Sequence, residues 1–140
     1  MWLWLLIFSP FIVLVVVAMG FATWDELFKE KVYQKRKEKA VKKYPLVRDM
    51  VEMIERQTAL IKEMGKKYAE NQNKINRLSL AMDYVPRGLA IEYIERKQEL
   101  IRQNARLDEL MGETLRLRRR AMDMLKDLRK IYKFKKWWDE

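Results

Sequence analysis

Aromatic and basic side chains alternate at the C-terminal end of the chain. Residues 131–138 read Ile-Tyr-Lys-Phe-Lys-Lys-Trp-Trp. Ammonium groups bind phosphates, and aromatic rings either lie at a lipid–water interface or stack on nucleic-acid bases. The segment therefore predicts contact with anionic lipid, made by Lys135, Lys136, Trp137 and Trp138. An acidic protein partner or solvent is the main alternative, and nucleic acid is a less favoured one.

The chain lacks the residue types that most often carry out catalysis. There are no His and no Cys residues, which removes the commonest general base, the thiolate nucleophile and the usual transition-metal ligands. Acidic residues lie among Lys and Arg at helical spacing, as Glu92 and Arg96 do, which is typical of solvated ion pairs. We therefore expect a protein that is not an enzyme, with no cofactor, no metal and no small-molecule substrate.

The chain begins with an uncharged segment. Residues 2–22 contain no charged side chain, and as a helix they would span roughly 30 Å, the thickness of a bilayer's hydrocarbon core. Trp2 and Trp4 at one end and Trp24 at the other suit the membrane–water interfaces. The pattern predicts a single transmembrane helix over residues 1–24. A cleaved signal peptide is disfavoured because no Lys or Arg precedes the apolar run.

Positive charge is concentrated at both ends of the remaining chain. The net charge is +4 over residues 25–45, zero over 46–113 and +6 over 114–140. Because the basic residues follow the apolar segment, the positive-inside rule predicts the N-terminus outside and the body in the cytoplasm or the mitochondrial matrix. We favour the mitochondrial inner membrane.

Residues 25–45 are predicted to form a basic juxtamembrane helix or connector. Gly20 followed by the capping-box pattern of residues 23–26 allows a hinge at the membrane surface, and one uninterrupted helix is the alternative. Pro45 suits the first turn of a new helix.

Two stretches with heptad spacing follow Pro45. Every seventh residue from Val47 to Met82 is apolar, and every seventh residue from Tyr93 to Leu128 is apolar except Thr114. Pro86 and a glycine mark a break near 83–88. This predicts an antiparallel, coiled-coil-like hairpin over 46–132 and a basic-aromatic tail over 133–140. One continuous rod that pairs with another chain is the alternative. The predicted seam comprises Val47, Ile54, Ile61, Met64, Ile75, Leu78, Leu107, Leu110, Leu117 and Leu128.

A trial register of the two helices gives the polar seam residues partners. It places Gln57 opposite Thr114, and Asn71 close enough to Gln103 for a hydrogen bond. The hairpin would also return the basic C-terminus to the basic 25–45 segment.

These features predict an all-α, single-pass membrane protein with a structural role. We expect an accessory scaffold or stalk subunit of a membrane protein complex, such as an energy-converting complex of the mitochondrial inner membrane. The layout resembles the b-type stator subunit of ATP synthases, but the alanine-rich stalk of that family is missing here. One alternative is a tether that binds RNA, ribosomes or other nucleic acid through its basic ends. Another is a self-associating membrane-anchored coiled coil of a cell-envelope or phage system.

Overall fold

The chain folds into three long α-helices. The computed structural model describes the backbone of residues 2–138 and the side chains of residues 13–138. Helix α1 spans Trp2–Lys43, α2 spans Pro45–Met82 and α3 spans Arg87–Tyr132. No strand occurs within residues 2–138. The predicted all-α fold is confirmed.

Helix α1 runs without interruption through Gly20. The hydroxyl of Thr23, which would cap a second helix if the chain bent here, instead lies 3.0 Å from the Met19 carbonyl oxygen and 2.9 Å from that of Gly20. A hydroxyl bonded to a carbonyl one turn earlier belongs to a helix interior. The structure therefore has the single helix and not the hinge.

The predicted membrane segment forms the first half of α1. In the part of the chain that the structure describes, no helix is both long enough and apolar enough to cross a bilayer. The side chains of residues 1–12, including Trp2 and Trp4, lie outside that part. Phe21 and Trp24 are described, and each is 74% exposed. The span thus remains a prediction.

The chain turns sharply between α1 and α2. Proline has no N–H to continue a helix and restricts the residue before it, so Tyr44 adopts an extended backbone with φ −126° and ψ 108°. Beyond the turn, the end of α1 packs against the start of α2, as the ion pair between Lys37 and Glu55 shows. A continuous helix of 18 residues would place these two about 27 Å apart, beyond the reach of their side chains.

Helices α2 and α3 form an antiparallel hairpin joined by residues 83–86. We call the end of the hairpin opposite this turn the base. Towards the base, the Arg118 side chain donates a hydrogen bond to the Thr58 hydroxyl at 2.9 Å. Closer to the turn, the Asn104 side chain donates to the Tyr68 carbonyl oxygen at 3.4 Å. Contacts that move forward along α2 and backward along α3 define the antiparallel pairing.

The seam of α2 follows the predicted positions. Val47 is fully buried and Ile75 is 7% exposed. The other predicted seam residues of α2, all half-buried, are Ile54, Ile61, Met64 and Leu78. On α3, one seam series contains the half-buried Leu107 and Leu128, as predicted. The second series lies four residues after the first and comprises Lys97, Asn104, Met111, Arg118, Leu125 and Tyr132.

The prediction was wrong for Leu110 and Leu117, which are 44% and 52% exposed and lie beside the seam. The second seam series of a helix can lie three or four residues after the first. On α3 the residues three positions on are apolar from Leu110 onward, and the prediction therefore chose a step of three. Packing at the base selects the step of four, since it buries Leu125 to 2% exposure and stacks Tyr132 on Tyr44 at 4.4 Å.

Two asparagines are buried in the seam, Asn71 at 7% and Asn104 at 5% exposure. The predicted contact between Asn71 and Gln103 is wrong, because Gln103 donates to Glu99 of its own helix at 3.2 Å. The side-chain nitrogen of Asn104 donates a hydrogen bond to the Tyr68 carbonyl oxygen. Its side-chain oxygen has no hydrogen-bond partner among the described residues.

The second predicted polar pair does not form a hydrogen bond. The side-chain oxygen of Gln57 is buried with no partner among the described residues. Thr114 donates instead to the carbonyl oxygen of Leu110 in its own helix, at 2.7 Å.

Candidate functional site

The base of the hairpin brings together α1, the ends of α2 and α3, and the C-terminal tail. Its core consists of Ala40, Val47, Val51 and Leu125, none of them more than 7% exposed. The small side chain of Ala40 lets the backbone of α1 approach α2 closely. Three helix ends are thereby fixed around one apolar cluster.

The tail, residues 133–138, reverses direction at Lys133. This residue adopts the left-handed conformation, with φ 52° and ψ 35°, and its N–H donates to the Arg129 carbonyl oxygen at 2.8 Å. A left-handed residue directly after the last turn is a common way to end a helix. The tail then reaches α1, where the Arg36 guanidinium donates to the Lys136 carbonyl oxygen at 3.1 Å.

Five aromatic rings cluster where the tail meets the base. Tyr44 stacks on Tyr132, and Phe134 lies 6.3 Å from Tyr44 and 5.1 Å from Trp137. Trp137 and Trp138 meet edge to face at 4.9 Å. Such pairs each add about 0.5–1.5 kcal/mol beyond the burial of their area.

The predicted membrane-interface residues of the tail lie against the protein itself. Trp137 and Trp138 are half-buried and pack on the core at the base. They line the notch between α1 and the hairpin, together with Lys37, Val51 and Met122. Lys136 is half-buried and Lys135 is exposed, and these side chains border the ring cluster.

A dense set of basic side chains surrounds the aromatic cluster. We call it the basic junction, and it lines two open clefts at the base, neither of them bordered by a carboxylate of the residues that the structure describes. Lys126 forms an ion pair with Asp123 at 3.9 Å, and Lys130 forms one with Asp127 at 3.3 Å. These two carboxylates offset part of the positive charge. The basic junction comprises Arg36, Lys39, Lys43, Lys126, Arg129, Lys130, Lys133, Lys135 and Lys136.

The basic junction suits a ligand with several negative charges. Ammonium and guanidinium groups on three sides can contact phosphates or carboxylates, and the rings of Tyr44 and Phe134 offer flat apolar surfaces between them. Lys43 already lies over the Tyr44 ring, with its Nζ 5.2 Å from the ring centroid. Within the described residues, no group of three or more acidic side chains is close enough to hold a metal ion.

No family model matches the chain, and comparison with curated proteins and with solved structures gives no match. Function therefore has to be inferred from the helices and their surfaces.

Sequence reasoning predicted that the tail returns to the 25–45 segment, but it did not identify the residues of that segment that the tail contacts. Arg36 and Tyr44 gave no motif of their own, and their place at the base depends on α1 folding back at Pro45. The basic residues of 35–43 give no signal for this contact, since they carry the same sign of charge as the tail.

Proposed function

We propose that this chain is a non-catalytic, single-pass scaffold subunit of a larger membrane protein complex. The observation that carries the proposal is the uncharged segment 2–22 at the head of an uninterrupted 42-residue helix. Charged side chains are costly in hydrocarbon, so a long run without any charge is what a membrane span requires. The remaining helices provide a long surface for partners, and the lack of His and Cys makes catalysis a poor alternative.

The proposed orientation places the N-terminus outside and the hairpin in the cytoplasm or the mitochondrial matrix. Eight Lys or Arg residues in 25–45 follow the apolar segment directly. That concentration of positive charge supports this direction of insertion. Small basic subunits with one span are common in energy-converting complexes, so the mitochondrial inner membrane is our preferred location.

The proposed anchor sets the distance between the basic junction and the bilayer. Arg36 lies about 21 Å of helix beyond Ala22, which is more than two Debye lengths at physiological ionic strength. An upright α1 therefore keeps the basic junction away from lipid headgroups, and contact with anionic lipid requires α1 to tilt. Another subunit is the better partner for an upright anchor.

A charge placed inside the span tests the anchor. The full-length chain is expected to stay in the membrane pellet after alkaline carbonate extraction, whereas a Leu14→Lys/Val17→Lys variant is released. Each lysine at the centre of a span costs about 3 kcal/mol of insertion free energy. Both side chains are exposed in the structure, at 68% and 49%, so the hairpin is not disturbed.

The control for that test is Lys31→Ala/Gln34→Ala, which changes α1 beyond the predicted span and should leave retention unchanged. Extraction of the unaltered chain by carbonate would refute the anchor. The scaffold role is measured separately on native gels in mild detergent, where the chain should migrate with other subunits, far above its own 17.1 kDa.

A second candidate function, a tether for RNA or ribosomes, is favoured by the basic junction and the half-buried rings that it surrounds. Single-stranded RNA bound by six to ten of these cations should lose about 10³–10⁵-fold in affinity between 50 and 200 mM salt. A Lys39→Glu/Lys135→Glu variant in neutral-lipid nanodiscs should bind more weakly and with a shallower salt dependence. RNA binding that does not respond to salt, or to these substitutions, would exclude this role.

A further inference from the structure

A row of apolar side chains lies along α2 outside the seam. It consists of Leu46, Met53 and Leu60, which are 52%, 44% and 51% exposed. The three recur every seven residues, so they form one stripe parallel to the helix axis. Each comes one residue before a seam residue.

Helix α3 carries a matching row, and it explains the seam error described above. Leu110, Leu117, Met124 and Ile131 also recur every seven residues and are 44%, 52%, 55% and 69% exposed. Each again comes one residue before a seam residue. The sequence pattern that suggested a seam at these positions is a second apolar stripe next to the true one.

The two rows lie on the same side of the hairpin. In an antiparallel pair of helices, the residues that directly precede a seam residue on one helix lie on the same side of the seam as the residues that do so on the other helix. The contact of Thr58 with Arg118 sets their heights, so that Leu60 lies level with Leu117 and Met53 level with Met124. We call this surface of seven residues the open face.

The opposite side of the base is occupied and the open face is not. Val51 and Met122, which flank the seam on the other side, are covered by Trp137 and Trp138 of the tail. Positions that flank a two-helix seam are usually charged, and apolar residues there are typical of helices with a further helical neighbour. Within residues 13–138 no helix covers the open face, and patches of this kind mark interaction sites.

Charged residues border the open face in a regular order. On the α2 side the sequence from base to turn is Asp49, Arg56 and Glu63, each three residues after a member of the apolar row. On the α3 side, Asp127, Arg120 and Glu113 lie level with them. A helix lying on the open face would therefore meet acidic, basic and acidic pairs, about 10 Å apart along its axis.

A second copy of this chain does not fit these borders. In two copies whose hairpins stand along the membrane normal, the twofold axis runs parallel to the hairpin and sets α2 of one against α3 of the other at equal height. Asp49 would then face Asp127, and Arg56 would face Arg120. Each copy also carries a net charge of +10, and the two basic junctions would lie side by side.

We propose that the open face binds an amphipathic α-helix of another polypeptide. The partner helix has an apolar stripe with heptad spacing, bordered in turn by basic, acidic and basic residues. The inference rests on the proposed scaffold function and names the surface through which that function is exercised. The partner helix would be a third helix packed on the half of the hairpin that is next to the base.

A designed peptide tests the open face on the full-length chain in phosphatidylcholine nanodiscs. The probe is a fluorescent 21-residue helix with a leucine heptad stripe bordered by Lys, Glu and Lys, and its control has Glu, Lys and Glu instead. Fluorescence anisotropy should show at least tenfold tighter binding of the first peptide. Met53→Glu/Leu117→Glu should abolish that preference at unchanged helix content, since both side chains are exposed.

The matched control variant is Leu80→Glu/Leu115→Glu, which changes two exposed apolar residues outside the open face and should retain binding. Equal binding of the two peptides, or of neither, overturns the proposal. Crosslinking between a chain that carries Met53→Cys and a second chain that carries Met124→Cys would assign the face to self-association and overturn it as well. Retention after carbonate extraction does not depend on the open face, so a failure here is distinct from a failure of the anchor.

Discussion

Leu125→Asp is expected to unfold the base of the hairpin, whereas Leu110→Asp on the same helix is expected to be tolerated. Leu125 is 2% exposed and belongs to the core with Ala40, Val47 and Val51. Losing a buried leucine side chain costs about 2–5 kcal/mol, and a carboxylate in its place adds a desolvation penalty. We therefore expect the free energy of unfolding to fall by more than about 4 kcal/mol.

Leu110→Asp provides the control, because it makes the same chemical change at a side chain that is 44% exposed. The expected loss is about 1 kcal/mol, most of it from helix propensity and partial burial. Urea titrations followed by circular dichroism at 222 nm measure both variants. A loss at Leu110 as large as at Leu125 would show that the seam of α3 follows the three-residue step after all.

The buried asparagines give the second large effect, in the opposite direction. Replacing Asn71 and Asn104 together by Leu is expected to raise the free energy of unfolding by about 1–3 kcal/mol. Both side chains lie in an apolar seam at no more than 7% exposure, and the one described hydrogen bond of Asn104 is 3.4 Å long. Removing both leaves no polar group stranded, and two leucines bury additional apolar surface.

The single variant Asn104→Leu should gain less, because Asn71 then stays buried in a more apolar seam. Asn73→Leu, at an exposed position of α2, controls for the helix propensity of leucine and should change stability by less than about 1 kcal/mol. The midpoint of urea unfolding gives the comparison. A less stable double variant would mean that the two amides stabilise the hairpin through hydrogen bonds to each other.

The helix boundaries could be predicted because they depend on local chemistry. Pro45 removes a backbone donor and forces Tyr44 out of the helix, and Pro86 marks the turn between α2 and α3. The seam of α2 was predictable for the same reason, since only one heptad series there is consistently apolar. These features needed no knowledge of distant parts of the chain.

The seam of α3 and the contacts of the tail could not be predicted locally. An apolar series through Leu110 and Leu117 runs along α3 one residue before a partly polar series that contains Asn104 and Arg118. Only packing at the base decides which of the two turns inward. In the same way, the sequence of the tail indicates that Trp137 and Trp138 need an apolar neighbour but does not identify it. The neighbour is the core at the base, reached because α1 folds back at Pro45 and Lys133 reverses the chain.

The tail gives the chain a mechanical property. Trp137 and Trp138 line the notch between α1 and the hairpin, and Arg36 donates to the tail backbone, so the tail links the two arms and resists a change in the angle between them. The hairpin arm is about 57 Å long, so a ten-degree inclination of α1 would swing the turn at 83–86 through about 10 Å. A chain anchored as proposed is therefore a lever that converts a small reorientation at the bilayer into a displacement its partners can detect.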